Sequence, residues 1–524
     1  MGIKQIFAPT PLEDVVGKAL APIIARDTVP WYRKRHLVLL NILLLSPLLS
    51  SAAGGFDGSL MNGLQSLSTW KDQFDNPRGK LLGFVNAALS FGCLMTAFPA
   101  GWCSDRWGRR SCLIAGSIGI IICTVIQVTA KGLPQLIVSR WLLGIASTFS
   151  GLPSPLLVTE LAYPSHRGKL TALYNTFYYF GAILSSWACY GVSKRLDKWG
   201  YMAPTLLQIA YPAVQLSLVW WLPESPRWYV SKDRYAEAKA VLTKFHAGGD
   251  ETSELVEVEL SEIVEAIEME KQSKSASWSE LWKTPGNRKR TYIAVSFAIF
   301  AQWCGNAVIS YYFTLVLDTI GYTSSHTQTL INGLLQVYNF AAAIFAAMMV
   351  DKLGRKVLLM WSSTGMLISY IIWTVMSQRF EVTQSKIYGQ LVLAFIFIYF
   401  FHYDVAFTPL LISYCSEIFP YYLRSKGISV VNFVTQCALV IAQFCNSIAM
   451  DQLGWKYYIV FCVLDAVIVI NIFFLYPETK GYSLEEIAEI FDGPNAAVDI
   501  EQAIPELKQK VSHSEYSAGE SGSN

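Results

Sequence analysis

The chain of 524 residues is 53% hydrophobic and only 15% charged, with a mean hydropathy of +0.35, a balance too apolar for water-soluble domains. Its net charge of +2 leaves no basic surface for nucleic acid. The ten cysteines fall mostly inside apolar runs, as Cys93, Cys123, Cys189 and Cys437 do, without metal-ligand spacing; they read as small core residues, and neither a metal nor a disulfide framework is expected.

Residues 1–36 are mixed polar and lack an apolar core followed by a small-residue cleavage site, so the first apolar helix is expected to act as its own insertion signal. From there the chain offers twelve segments of the ~20 apolar residues that a bilayer requires. They run at 37–57, 81–103, 112–130, 136–158, 170–192, 203–222, 292–315, 330–350, 357–375, 388–415, 427–450 and 457–476. The expected fold is an all-α membrane protein: an N-terminal bundle of six helices at 37–222, a linker at 223–290, a C-terminal bundle at 291–476 and a tail at 477–524. Lys and Arg in the short loops favour a cytoplasmic N-terminus only weakly, roughly 13 against roughly 10, but the linker adds about 11 more and belongs inside. An even number of spans then puts both termini in the cytoplasm. Within the linker, Ala236–Lys244 and Glu254–Glu265 carry apolar residues at i, i+3 and i+4 and are separated by Gly248-Gly249, which predicts short amphipathic helices beneath the bundles. Beyond Gly493-Pro494 the tail loses its aromatics and ends in Ser and Gly, a composition that predicts disorder.

Three signatures recur in the same order. Asp105-Arg-Trp-Gly-Arg-Arg110 returns as Asp351-Lys-Leu-Gly-Arg-Lys356; Glu160, Pro164 and Arg167 return as Glu417, Pro420 and Arg424; Pro223-Glu-Ser225 returns as Pro477-Glu-Thr479. The offsets, about 246, 257 and 254 residues, are those of a duplicated half. In the first signature an acid, a glycine and two cations occupy a turn too short for a domain, where a tight reversal needs glycine and charge must stay in water. Arg109, Glu160, Arg167 and Glu224 in one half, and Arg355, Glu417 and Arg424 in the other, with the loop acids Asp105 and Asp351, all fall at cytoplasmic helix ends. There acid and base can pair across the seam between bundles and close the inner face.

Two charges lie deeper. Asp57 follows the cytoplasmic cluster Arg33–Arg35 by about 22 residues and Arg140 precedes Glu160 by about 20, so both sit at comparable depth in the outer half and can meet. A carboxyl whose proton affinity depends on a neighbouring cation is suited to carry a proton. Asp404 and Asp465 each lie about 13 residues from a cytoplasmic-end glutamate, near mid-membrane. Asp404 precedes Thr408-Pro409 and is read as facing the cavity, whereas Asp465 is read as structural. Amides and phenols facing a central cavity suit a ligand rich in hydroxyl groups; Asn175, Gln302, Asn306, Tyr311 and Asn339 are candidates for that role.

The Asp105–Arg110 loop, Pro155–Gly168, Pro223-Glu-Ser-Pro-Arg-Trp228, Asp351–Lys356 and Pro477-Glu-Thr-Lys-Gly481 together resemble the sugar porter family of the major facilitator superfamily. Two further segments, Gln302–Tyr312 and Ala406–Glu417, are similar to the fungal lactose and cellodextrin permease branch. The resemblance implies an acid at the Asp57 position in proton-coupled members, a sugar-binding asparagine at Asn339, and a glutamine where Asn175 stands. It also shows departures: Ala301-Gln302 for a Gln-Gln pair, Leu157 for a tyrosine, and Ile412 for a tryptophan, which vacates volume for a second sugar ring.

The function expected is proton-coupled sugar symport by alternating access, importing a disaccharide of the lactose or cellobiose kind or a hexose, by a monomer in the plasma membrane without a cofactor. Carriage of a non-sugar such as quinate or a secondary metabolite, and sugar sensing without transport, are the alternatives. The few His and Cys residues form no nucleophile set, so an enzyme is not expected.

Overall fold

The computed structural model describes residues 16, 20–26, 29–274, 277–480, 482 and 484–493. The expectation made for the tail beyond Gly493 lies outside them. All regular structure among the described residues is helical.

The first span is Arg35–Leu43 continued by Leu45–Ser66, the second Gly79–Trp107, the third Arg109–Val128, the fourth Leu133–Gly151 with Pro153–Leu161, the fifth Arg167–Val192, and the sixth Trp199–Leu207 with Ala210–Val219. The second half supplies Pro285–Trp303 with Asn306–Thr319 as the seventh, then Ser325–Leu353, Arg355–Thr383, Lys386–Ile418, Tyr421–Leu453 and Tyr458–Leu475. The last two belong to one apolar stretch of 54 residues, about 80 Å as a helix and more than twice the hydrocarbon thickness of a bilayer. They part at Gly454, where φ is +53°.

Two expectations are corrected here. The first helix does not end at Asp57 but continues to Ser66, because the carboxylate is met inside the protein and need not reach the headgroups. The seventh span is broken at Cys304 and Gly305, whose φ of +97° no ordinary side chain adopts easily.

Between the halves lie, among the described residues, the linker helices α1 Pro226–Ser231, α2 Tyr235–Phe245 and α3 Glu254–Lys274, followed by the single turn Glu280–Lys283. Ser225 caps α1 by accepting the Trp228 amide, with proline in the first turn. Gly248 and Gly249, at φ +65° and +100°, separate α2 from α3 as the sequence predicts.

The halves are packed by different means. In the first, backbones touch: a Cβ added at Gly55 would lie 1.8 Å from the Tyr178 carbonyl oxygen and one at Gly181 1.9 Å from that of Ala52, so spans one and five clamp each other reciprocally. Gly92 against Trp141 and Gly144 against Leu89 do the same for spans two and four, at 2.2 and 2.0 Å. This is close packing by small residues, the mode available where lipid supplies no hydrophobic drive. In the second half the centre is aromatic: Tyr370 stacks on Trp373 at 4.6 Å and meets Tyr399 edge-on at 5.0 Å. Outside, Trp220, Trp221, Phe473 and Phe474 are exposed, as rings in a lipid and headgroup belt are.

Candidate functional site

At the linker-side ends of the spans, the three repeated signatures turn out to be one cluster per half. Gly108 and Gly354 take φ of +99° and +88°, which frees the first amides of the helices that follow. The Glu224 carboxylate accepts from the Arg109 and Arg110 amides at 3.0 Å each, and Glu478 accepts from Arg355 and Lys356 at 2.8 and 3.1 Å. Each acid thus caps a helix N-terminus, where unpaired N–H groups and the helix dipole favour a negative charge. Ser225 and Thr479 then donate to Glu160 and Glu417, which hold Arg109 and Arg355 at 3.7 and 3.1 Å. Asp105, largely exposed, adds a second contact to Arg109 at 3.1 Å.

The ion pairs seen here among the described residues lie within each half and not across the seam as expected: Arg109 with Glu160, Arg355 with Glu417. The reason is local, since the Ser225 and Thr479 hydroxyls fix each glutamate beside the arginine of its own bundle. Arg167 Nε has no hydrogen-bond partner among the described residues, Arg424 is half-buried at the start of the eleventh span, and the Asp351 side chain lies outside the described residues. The two caps differ electrostatically. Burial pushes the Glu224 carboxyl up from the ordinary glutamate value against the pull of its amide donors. Burial works upward on Glu478 too, but four backbone N–H donors outweigh it and hold this carboxyl below the ordinary value.

Within the first bundle, Asp57 and Arg140 do meet. Arg140 Nη1 stands 3.6 Å from Asp57 Oδ1, with side chains 3% and 7% exposed, close enough for an ion pair and too long for a good hydrogen bond. Gln208 of the sixth span donates to the same carboxylate oxygen at 3.2 Å, and Arg140 Nε donates to the Val85 carbonyl at 2.9 Å. Asp57 Oδ2 has no partner among the described residues.

The break in the seventh span frees carbonyls, and three tyrosines of spans nine and ten take them up. Tyr403 donates to Ala301 at 3.1 Å, Tyr399 to Cys304 at 2.9 Å and Tyr370 to Gly305 at 3.1 Å. Irregular backbone at this depth persists only where protein satisfies it. Gln302 and Asn306 flank the break and are half-buried, as is Tyr311. A second irregularity follows at Tyr312, with φ −134° and ψ 26°. Here the first span supplies the partners: Asn62 donates to Ile309 and Ser310 at 3.1 and 2.5 Å and accepts the Phe313 amide at 3.2 Å, while Gln65 donates to Tyr311 at 3.1 Å. These contacts, with Ser447 to Gly79 at 2.8 Å and Ser193 to His326 at 2.9 Å, join the two bundles.

Asp404 meets Tyr179, which donates from the opposite bundle at 3.0 Å; Thr408, one turn on, donates at 3.1 Å. Helical spacing places Ile412 on the same face of the tenth span as Asp404 and Thr408, and Asn175 on the Tyr179 face of the fifth. Ile412 and Asn175 are exposed, whereas Asn339 is buried with its carbonyl oxygen unpartnered among the described residues. Asp465 is fully buried, neither oxygen having a partner among the described residues.

Several of these positions escape sequence reasoning. Asn62 and Gln65 lie past the point where a charge seemed to end the helix, and continuing the apolar period beyond Asp57 finds them. Gln208, Tyr179 and the three tyrosines carry no local signal, because each acts on backbone or acid far away in sequence.

Comparison with known proteins agrees with this architecture. The family model for sugar (and other) transporters matches residues 43–491. A high-affinity glucose transporter of Kluyveromyces lactis is 27% identical over 499 residues, covering 91% of this chain and 90% of that protein; the MFS-type transporter criB of Aspergillus cristatus is 27% identical, covering 84% and 90%. The sugar transporter STL1 of Saccharomyces cerevisiae is 27% identical, covering 83% and 78%. Among solved structures, the inward-open xylose transporter XylE of E. coli superposes with a TM-score of 0.72 at 22% identity, over 86% of this chain and 100% of that one, which speaks to the fold. With twelve membrane helices in two bundles and a family match along most of its length, the chain belongs to the sugar (and other) transporter family, as a carrier and not an enzyme.

Proposed function

We propose that this carrier is a proton-coupled sugar symporter working by alternating access, which imports a disaccharide of the lactose or cellobiose kind or a hexose. The observation that carries the reading is the Asp57–Arg140 contact, an acid and a base sealed within one bundle at 3.6 Å. Ionised Asp57 balances the guanidinium. A proton on Asp57 cancels that balance and leaves Arg140 with the Val85 carbonyl, so the two protonation states differ in cost inside the bilayer and bias different conformations. Relatives named as glucose transporters and a fold neighbour titled D-xylose-proton symporter support the same assignment.

In this reading Asn175, Gln302, Asn306, Tyr311 and Asn339 bind sugar hydroxyls, and Ile412 leaves room for a second ring. Asp105, Arg109, Glu160, Arg167, Glu224, Asp351, Arg355, Glu417 and Arg424 form the cytoplasmic gate. The bundles divide at 37–222 and 291–476 around the linker at 223–290, both termini are cytoplasmic, and the protein works as a monomer in the plasma membrane. The bonds from Asn62 and Gln65 to the seventh span then close the outer side of an inward-facing state. A carrier of a non-sugar metabolite such as quinate is the second reading, favoured by one feature: Ile412 offers no stacking face to a sugar ring.

Uptake of radiolabelled cellobiose, lactose and glucose by transport-deficient cells tests both. Sugar accumulation that collapses with a protonophore is expected, and Asp57→Asn should abolish accumulation against a gradient while sparing exchange. Undiminished accumulation in that variant rules out the proton role; no uptake of any of the three moves the assignment to the second reading.

A further inference from the structure

Three of the six histidines converge where the linker meets the first bundle. His36 begins the first span, His166 lies in the turn before the fifth, and His246 follows α2. The His246 ring is buried. Its Nδ1 stands 2.7 Å from Oε2 of Glu259 on α3, and its Nε2 stands 3.1 Å from the carbonyl oxygen of Leu161, the last residue of the fourth span. Side-chain exposures are 3% for the histidine and 4% for the glutamate.

Both partners are acceptors. A backbone carbonyl never donates, and an ionised carboxylate does not either. A ring with a single proton therefore sets one lone pair against another, in a place water does not reach. The arrangement is satisfied only when the pair holds one more proton, as imidazolium facing carboxylate or as neutral imidazole facing a protonated Glu259.

We infer that His246 and Glu259 form a proton-dependent latch, which fastens the linker to the end of the fourth span one residue beyond the gate acid Glu160 and makes the linker's hold sensitive to pH on its own side of the membrane. α2 and α3 are further tied to each other by shared apolar packing of Ala238 and Leu242 with Val256 and Ile263 and by the Lys239–Glu257 pair. The groups around the pair agree with this assignment. From the first span come Lys34 and His36, whose ring lies against Gly248, 2.8 Å from where a Cβ would be. From the turn come Tyr163, its ring 5.6 Å from that of His246, and His166, and from the start of the fifth span Arg167 and Lys169; Lys244 lies on α2 itself, and Glu262 on α3 beside Glu259. His36 and His166 face cations and each other's neighbour His246, and His166 Nδ1 meets the Asn41 amide. Among the described residues, of the three rings only that of His246 has a carboxylate at contact distance, so the latch proton belongs to the pair and not to the other two rings.

The test reads the linker itself and does not depend on what is transported. Full-length protein in lipid nanodiscs would be followed by hydrogen exchange in α2 and α3 from about pH 5 to about pH 8, the span in which histidine changes charge. Results are expressed as protection factors, which remove the chemical pH dependence. Wild-type protection is expected to fall by at least about fivefold as pH rises, within the limit of about tenfold per pH unit that one linked proton allows. In Glu259→Gln the amide N–H donates to a neutral ring while Nε2–H still donates to Leu161, so protection should persist with its pH slope lost. A flat wild-type profile, or a Glu259→Gln profile as steep as the wild type, overturns the latch. Should that variant fail to insert, His36→Gln and His166→Gln decide: the slope surviving both supports the pair, and its disappearance in either refutes it.

Discussion

Asn62→Ala should open the side of the carrier opposite the linker. In the structure the Asn62 side chain makes three bonds to the second irregularity of the seventh span: to Ile309 at 3.1 Å, to Ser310 at 2.5 Å and from the Phe313 amide at 3.2 Å. Asn62 is 4% exposed, so these bonds compete little with water. At roughly 0.5–1.5 kcal/mol net for each neutral bond, their loss costs the closed arrangement about 1.5–4.5 kcal/mol, or roughly tenfold to a thousandfold in its ratio to an open one. Gln65→Ala removes one bond to Tyr311 at 3.1 Å and should cost about a third as much. Hydrogen exchange at 309–319 in nanodiscs reads the effect directly. Exchange should quicken strongly in Asn62→Ala and modestly in Gln65→Ala, with the helix Pro285–Trp303 unchanged. Equal, unaltered exchange at 309–319 in both variants would show that the break is held by its own half and not by the first span.

Gly108→Ala should damage folding more than Gly354→Ala, because the added Cβ falls 2.2 Å from the Glu224 carboxylate against 2.8 Å from that of Glu478; yield of folded protein from membranes gives the order. The two caps should also answer acid in opposite ways. Glu224, raised on folding, contributes stability that is complete below the ordinary value of 4.5 and lost as pH rises through its folded value; Glu478, lowered on folding, contributes stability present above 4.5 and lost as pH falls through its folded value. Acidification should therefore loosen the amides of Arg355 and Lys356 before those of Arg109 and Arg110, and loosening in the reverse order would contradict the assignment. Gln302→Ala and Asn339→Ala should each weaken sugar binding by about 0.5–1.5 kcal/mol without lowering surface expression, whereas unchanged binding in both would assign these amides to helix packing.

What was legible in the sequence follows from where each interaction partner lies. The duplicated loops could be read because their charges sit in turns too short to hide them, and the Asp57–Arg140 meeting could be read because depth in a membrane helix is a matter of counting residues. Glu224 and Glu478 were visible as a repeat but not as caps. Their partners are backbone amides, and no residue type announces a free amide. Pairing across the seam was the natural guess for matched acids and bases; Ser225 and Thr479, small and unremarkable in sequence, turn each glutamate toward its own half instead. The seventh-span break was hidden for a further reason: Gly305 within an apolar run looks like the packing glycines Gly55 and Gly181, and only the three distant tyrosines distinguish them.

The contrast between the halves bears on how the two proposed sites communicate. Asp57 and Asn62 lie on one helix, five residues and therefore about 7.5 Å apart along its axis. Just before Asp57 that helix is clamped to the fifth span, Gly55 against Tyr178 and Gly181 against Ala52, so closely that an added Cβ would fall 1.8 and 1.9 Å from the facing carbonyl oxygen, which leaves it little freedom to bend or rotate alone. A change at the Asp57–Arg140 pair must then be expressed as a displacement of spans one and five together. The first contacts such a displacement meets in the other half are the Asn62 bonds to the broken seventh span and the Tyr179 bond to Asp404 on the tenth. Both lie on elements that flank the proposed sugar residues, Gln302 and Asn306 on one and Ile412 on the other. If the proposed symport holds, parting from Asn62 would leave these carbonyls to water, and the seventh span would be the element that both the proposed proton site and the proposed sugar site bias. Tight glycine packing in the first half and a broken, tyrosine-capped helix in the second are thus complementary in the proposed mechanism: one half would transmit a charge change without absorbing it, and the other would convert it into a change of access.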